Sequence, residues 1–171
     1  MKILFKQIRS DGGCLSFILA DRELGKACLI DPRADELPQY EEFLARNKLS
    51  PSIVIDTHTH ADHYSGTHLL AKHFGAPIAM SAATRSARAT VKLREGDFAE
   101  VSTGLALATI ETPGHTPDSL SFVCKTPSAQ FVFTGDTLFI GGSGRTDFPG
   151  ASAEDQYESI FTKLGKLDSK T

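Results

Sequence analysis

Residues 52–66 read SIVIDTHTHADHYSG, an apolar run that opens into a cluster of histidines and aspartates. Residues 53–56 are a continuous apolar stretch ending in Asp, the pattern of a buried strand. His58 and His60 follow two apart at its C-terminal end, where a chain leaves a sheet and side chains converge on a crevice. Asp62 and His63 sit in the turn just beyond. Neutral imidazole and carboxylate are ligands for zinc, iron or manganese. Four such groups within six residues are costly to bury without a cation, so metal binding outweighs a polar turn satisfied by backbone and water.

Outward from this segment, strands and helices alternate. Upstream, residues 3–8, 14–20 and 26–31 read as three short strands with Asp-Gly-Gly and Asp-Arg-Glu-Leu-Gly turns between them, which predicts antiparallel pairing. After Asp35, expected as an N-cap, Leu37, Tyr40 and Leu44 recur three and four apart and predict a helix ending near Asn47. Downstream, 65–74 reads as a short helix closed by Gly75, and 77–81 as a strand. From Asp97 strands return at 98–101, 105–111, 119–124 and 130–134, punctuated by Thr-Gly, Pro-Gly and Thr-Pro-Ser turns. Ser152 with Asp155 resembles a capping box, and Tyr157, Ile160, Phe161, Leu164 and Leu167 follow at helical spacing.

Composition narrows the class. A chain of 171 residues supports one well-buried core and is short for two, so one domain, 1–171, is expected. With 40% hydrophobic and 23% charged residues it is ordinary for a globular protein, and a net charge of −3 provides no field to attract nucleic acid or acidic membranes. Met1 leads directly into a strand-like segment and no stretch is long enough to span a bilayer, so a soluble, cytoplasmic protein is expected. Cys14, Cys28 and Cys124 are odd in number and widely spaced, which fits buried thiols better than disulfides or a Cys-type zinc site.

Two further elements repeat the logic of the opening stretch. His115 lies in ETPGHTPDSLSF, where Pro113-Gly114 forces a turn that can aim the imidazole at the same crevice. Asp136 follows the apolar strand QFVFT through Gly135. Each alone is weak; with THTHADH they form a constellation.

These residues resemble the metallo-β-lactamase superfamily, whose HxHxDH motif stands here as His58-Thr59-His60-Ala61-Asp62-His63, with TPGH at His115 and GD at Asp136. The resemblance implies an α/β fold, a four-layer αββα sandwich with the metal site at one edge between two mixed sheets. The family continues beyond the point where this sequence stops, which leads to the expectation that a C-terminal part is missing. Some relatives carry an appended rhodanese-like domain, so such a domain or partner, and a homodimer, are further expectations.

The segment GDTLFIGGSGRTDF, residues 135–148, looks like the persulfide dioxygenase (sulfur dioxygenase) branch, with Phe148 where glyoxalase II-like hydrolases have Leu. Carried over, that branch implies one Fe(II) held by His58, His115 and Asp136, a facial triad with open positions. The implied substrate is a persulfide such as glutathione persulfide, oxidised with O2 to sulfite with the thiol regenerated. His60, Asp62 and His63 would then orient ligands or waters by hydrogen bonds. The hydrolase alternative places two Zn, Fe or Mn ions: one on His58, His60 and His115, the other on Asp62 and His63, with Asp136 bridging, to hydrolyse a thioester. No histidine follows His115 to complete the second position, which favours one metal. A third alternative is an inactive metal-binding or partner-binding remnant of the fold.

Other residues carry smaller expectations. Arg145, Thr146 and Asp147 are read as loop support near Asp136. His68 and His73, five apart on a helix, read as surface residues. Arg85, Arg88, Lys92 and Arg94 form the only local basic cluster and read as a solvated face more readily than as a site for an anionic thiol. Cys14 lies on the side of the active site implied by the resemblance, with packing favoured over a redox or substrate role.

Overall fold

The computed structural model describes residues 2–126, 130–147 and 149–168. Phe148, together with Pro127 and Ser128 of the expected Thr-Pro-Ser turn, lies outside the described residues.

Three strands, β1 (Ile3–Arg9), β2 (Leu15–Asp21) and β3 (Lys26–Ile30), form the expected antiparallel meander. β3 then pairs in parallel with β4 (Ser50–Ile55), after a crossover through α1 (Leu37–Asn47). α2 (Thr67–Phe74) carries the chain to β5 (Ile78–Ser81), again parallel, and β6 (Val91–Leu93) extends the edge. Parallel neighbours need such crossovers, which explains why the helices fall here and not within the meander. The second sheet holds β7 (Phe98–Ser102), β8 (Leu105–Glu111), β9 (Leu120–Lys125) and β10 (Gln130–Phe133) in the order β10-β9-β8-β7, antiparallel in each described pairing.

Side chains in the central strands alternate between two cores. Leu19, Cys28, Ile30, Ile53 and Ile55 face the second sheet and meet Leu105, Leu107, Leu120 and Phe122. The intervening Ile18, Leu29 and Val54 point the other way, onto Tyr40 and Leu44 of α1 and Leu70 of α2. A sheet buried on both faces reads as a continuous apolar run, which is what residues 27–30 (ACLI) and 53–55 (IVI) present. Full burial of each such side chain stabilises by about 1.5–3 kcal/mol. The result is the α/β sandwich of two sheets with helices outside. Cys28 and Cys124 are fully buried in the inter-sheet core, as expected for packing residues.

Three local expectations differ from the structure. Asp35 does not cap α1: a 3₁₀ turn, Ala34–Glu36, precedes the helix, and Asp35 pairs bidentately with Arg33 at 2.9 and 2.6 Å. A charged neighbour within reach outcompetes the backbone N–H groups for the carboxylate. β6 was not expected, because three residues centred on a lysine carry no periodic signal. The C-terminal helix starts as predicted, with Ser152 Oγ accepting from Asp155 N at 3.1 Å, but α3 (Ala153–Tyr157) widens into a π-helical stretch, Glu158–Lys163. Tyr157 and Phe161, four apart, lie with their rings tilted against one another at 4.6 Å while both remain exposed. Ser159 Oγ and Lys163 Nζ tie this stretch to the carbonyls of Pro113 and Glu111. No helix among the described residues is long and apolar enough to cross a membrane.

Candidate metal centre

Three strand ends meet at one rim. His58 follows β4, His115 lies in the β8–β9 loop, and Asp136 follows β10. Leu120 N donates to the Thr57 carbonyl at 2.8 Å and so stitches the first of these to the second. Asp118 adds a second stitch, accepting from Thr59 Oγ1 at 2.5 Å and Thr59 N at 3.3 Å. Gln156 of α3 accepts from His115 N at 2.7 Å and donates to the Thr137 carbonyl at 2.8 Å, holding the His115 and Asp136 loops together.

Two glycines allow the close approach. Gly135 has φ +49°, and a Cβ there would strike the Thr57 side chain. A Cβ on Gly144 would strike the Asp136 carbonyl oxygen and come within 2.8 Å of His115 Nδ1. With both in place, one ligand atom from each of His58, His115 and Asp136 lies within 4.8 Å of the others.

The hydrogen bonds assign the tautomers. Thr57 Oγ1 donates to Asp31 Oδ2 at 2.8 Å and therefore accepts from His58 Nδ1 at 2.9 Å, which leaves the Nε2 lone pair for a metal. His115 Nδ1 donates to the Arg145 carbonyl at 2.9 Å, and its Nε2 lies 3.5 Å from Asp136 Oδ2. Burial, with the charge of nearby His60, pulls the His58 pKa down to about 4, so the ring is neutral and able to ligate at ordinary pH. Burial raises the Asp136 carboxyl above its usual range, opposed by His115, as expected for an acid that needs a neighbouring cation. Donor chemistry, tautomers and spacing all fit a metal ion.

His60 belongs to a different group. Its Nε2 lies 3.2 Å from Asp31 Oδ1 and 3.9 Å from Asp56 Oδ1. Burial alone would lower its pKa, but the bond and charge of Asp31, with the charges of Asp56 and Asp62, push it up to about 9. Asp56 is itself raised to about 6 by burial, although Thr67 Oγ1 and Ser65 Oγ donate to it. Asp62 and His63 form a third group: His63 Nδ1 meets Asp62 Oδ1 at 3.0 Å, and the Cys14 thiol donates to Asp62 Oδ2 at 3.6 Å.

Arg145 reaches the centre by its main chain, through the bond from His115. Its guanidinium pairs with Asp147 on the surface, and half-buried Thr146 lies between them. His73 is exposed and His68 half-buried on α2, while Arg85, Arg88, Lys92 and Arg94 are all exposed.

Sequence reasoning missed Asp31, Asp118 and Gln156. Asp31 had a faint signal, an acid at the end of an apolar strand before Pro32. It adopts φ +49°, which short polar side chains tolerate, and it accepts from Thr57 N at 2.6 Å. Gln156 carried none, because its partners lie 19 and 41 residues away.

A mixed αββα sandwich with histidines and an aspartate on three strand ends defines a class, and the comparison with known families agrees: the metallo-beta-lactamase superfamily profile matches residues 9–171, and the chain belongs to that superfamily. Among particular relatives, the human mitochondrial persulfide dioxygenase ETHE1 is 34% identical over 166 residues, which cover 96% of this chain and 64% of that protein. The hydroxyacylglutathione hydrolase of Pectobacterium carotovorum is also 34% identical, over 156 residues covering 91% of this chain and 58% of that protein. The crystal structure of ETHE1 from Myxococcus xanthus superposes with a TM-score of 0.91 at 32% identity, over 98% of this chain and 72% of that one. The chain thus spans less than two thirds of the length of either of these two sequence relatives.

Proposed function

We propose that this chain is a mononuclear non-heme iron persulfide dioxygenase domain that oxidises a glutathione persulfide-like substrate. The observation that carries the reading is the engagement of His60: with Nε2 on Asp31, the grouped ligand atoms at the rim are those of His58, His115 and Asp136. Two imidazoles and one carboxylate leave positions open for small molecules, the arrangement used by non-heme iron oxygenases. A bound Fe(II) would supply the redox chemistry with dioxygen. His58 and His115 hold their Nε2 atoms in place through Thr57 and the Arg145 carbonyl, and Asp136, with a 40% exposed side chain, faces the opening. The balanced reaction consumes one O2 and one water per persulfide and yields the thiol, sulfite and two protons.

A thioester hydrolase is the second reading, favoured by the hydroxyacylglutathione hydrolase relative and by the adjacent Asp62–His63 pair. It requires His60 to leave Asp31 and ligate. The test is oxygen uptake by the Fe(II)-loaded protein on adding fresh glutathione persulfide, with sulfite assayed in the same vessel. Uptake matched by sulfite is the expected result. Thioester hydrolysis without uptake would replace the reading by the hydrolase, and tight stoichiometric iron with neither turnover would replace it by a binding remnant.

A further inference from the structure

We propose that the cleft between the β2–β3 turn and the C-terminal end of α1 binds a small dianion, carrying phosphate or carboxylate groups, at the opposite end of the sheet from the metal centre. The cleft has a volume of about 480 Å³ and is lined by residues 22–25 and 46–48, room enough for a small metabolite. Three cations, Arg22, Arg46 and Lys48, and one carboxylate, Glu23, line it and leave a net charge of +2. Among the described residues none of these three cations is in an ion pair, whereas Arg33, Arg145 and Lys163 each have one. Two guanidinium forks and an ammonium group on one concave surface match the oxygens of a phosphate or a carboxylate.

The walls of the cleft are built by specific bonds. Asp21 Oδ1 accepts from Glu23 N at 3.0 Å and Leu24 N at 3.2 Å and fixes the β2–β3 turn. Gly25, at φ +65°, brings that turn against α1: a Cβ there would come within 3.2 Å of the Lys48 carbonyl oxygen, and Ser50 N donates to the Gly25 carbonyl at 2.8 Å. The independent observation is Lys48. It is held at φ +56°, in the left-handed conformation in which glycine or asparagine usually ends a helix. A lysine there carries strain that glycine would not, and the charge it brings to the cleft is what glycine could not supply. The dipole of α1 attracts Arg46 and Lys48 by itself, but it does not account for Arg22, which stands on the other wall. β3 and β4 start in parallel beside this cleft and end where Asp31 and His58 begin, a strand length of about 20 Å away. The site is therefore separate from the metal centre and stands whichever reaction that centre performs.

The test is a residue-resolved NMR titration of the Zn(II)-loaded 171-residue chain with inorganic phosphate and, separately, with succinate. Amide shifts should saturate at Gly25, Asn47 and Lys48 with a Kd below about 1 mM, and the affinity should fall on adding salt. Saturation by either anion supports the site, and the tighter of the two identifies the anionic groups of the ligand. Arg22→Gln should weaken binding at least about fivefold with an unchanged Tm, since the side chain is exposed. Lys48→Gly should also weaken binding while Tm holds or rises, because glycine takes the left-handed conformation without strain. A residue that served only to end the helix would not give that split. Shifts confined to the metal rim, no saturation by about 10 mM of either anion, or unchanged affinity in both variants would overturn the proposal.

Discussion

His60 Nε2 lies 3.2 Å from Asp31 Oδ1, with both side chains more than nine-tenths buried. The other oxygen of the same carboxylate accepts from Thr57 Oγ1, which in turn holds His58 Nδ1. One acid at the end of β3 therefore orients both histidines that leave β4. Burying a carboxylate so deeply works against its charge, yet the bond and charge of His60 hold the Asp31 pKa below the usual carboxylate range.

Asp31→Asn should be severe. It removes the counter-charge of a buried imidazolium and places an amide N–H₂ or a weaker acceptor against Thr57 and His60. Breaking a buried pair from one side costs about 3–5 kcal/mol. Loss of an orienting partner should lower metal affinity about 10–100-fold. Urea denaturation and metal titration check the two effects separately, and a variant with wild-type values in both would contradict the role assigned to Asp31.

His58→Ala, His115→Ala and Asp136→Ala should each lose the ion of the rim group after desalting, as read by metal analysis. His63→Ala should retain it, since His63 belongs to the neighbouring cluster. Full iron occupancy in any of the first three would remove that residue from the ligand set.

Gly144→Ala tests the packing behind the centre. The new Cβ meets the Asp136 carbonyl oxygen and the His115 ring, so both ligands must shift. Misplacement by about 1 Å can cost on the order of 100-fold in a positioned site. The expected signature is a large drop in metal affinity or turnover, with circular dichroism close to that of the parent protein. Unchanged metal affinity would show that the loop relaxes freely.

Acid stability should depend on Asp21, far along β2 from the rim. Burial opposes its charge, but bonds from Ser102 Oγ at 2.8 Å and from Leu24 N and Glu23 N outweigh that and hold its pKa below the ordinary 3.8. A depressed folded pKa contributes stability that is fully present above the unfolded value and is lost as pH falls through the folded one. Ser102→Ala should therefore remove about 1 kcal/mol at neutral pH and flatten the acid limb of a denaturation series. The same acid limb in both proteins would show that the Ser102 bond contributes nothing to the depression.

Much of the fold was legible because its signals are local. The apolar runs at Lys26–Ile30 and Ser50–Ile55 announce strands buried on both faces, and Gly75 ends α2 in the left-handed conformation that the sequence pattern predicts. β6 is absent from any sequence reading because its Val-Lys-Leu is placed by pairing with β5 and by nothing in its own period. The capping role expected of Asp35 was lost to Arg33, two residues away, a choice between two local partners that sequence leaves open.

The sequence by itself determined the superfamily and the donor types at the centre, because HxHxDH, TPGH and GD concentrate ligand chemistry in short spans. The resemblance already implied His58, His115 and Asp136 as one group, and tertiary structure decided which partners the remaining donors take. His60 pairs with Asp31 because β3 lies parallel beside β4, and Cys14 meets Asp62 because the β1–β2 turn reaches the same rim. Residue chemistry and periodicity are properties of a few neighbouring positions, whereas a partner 29 or 48 residues away is chosen by sheet order and register.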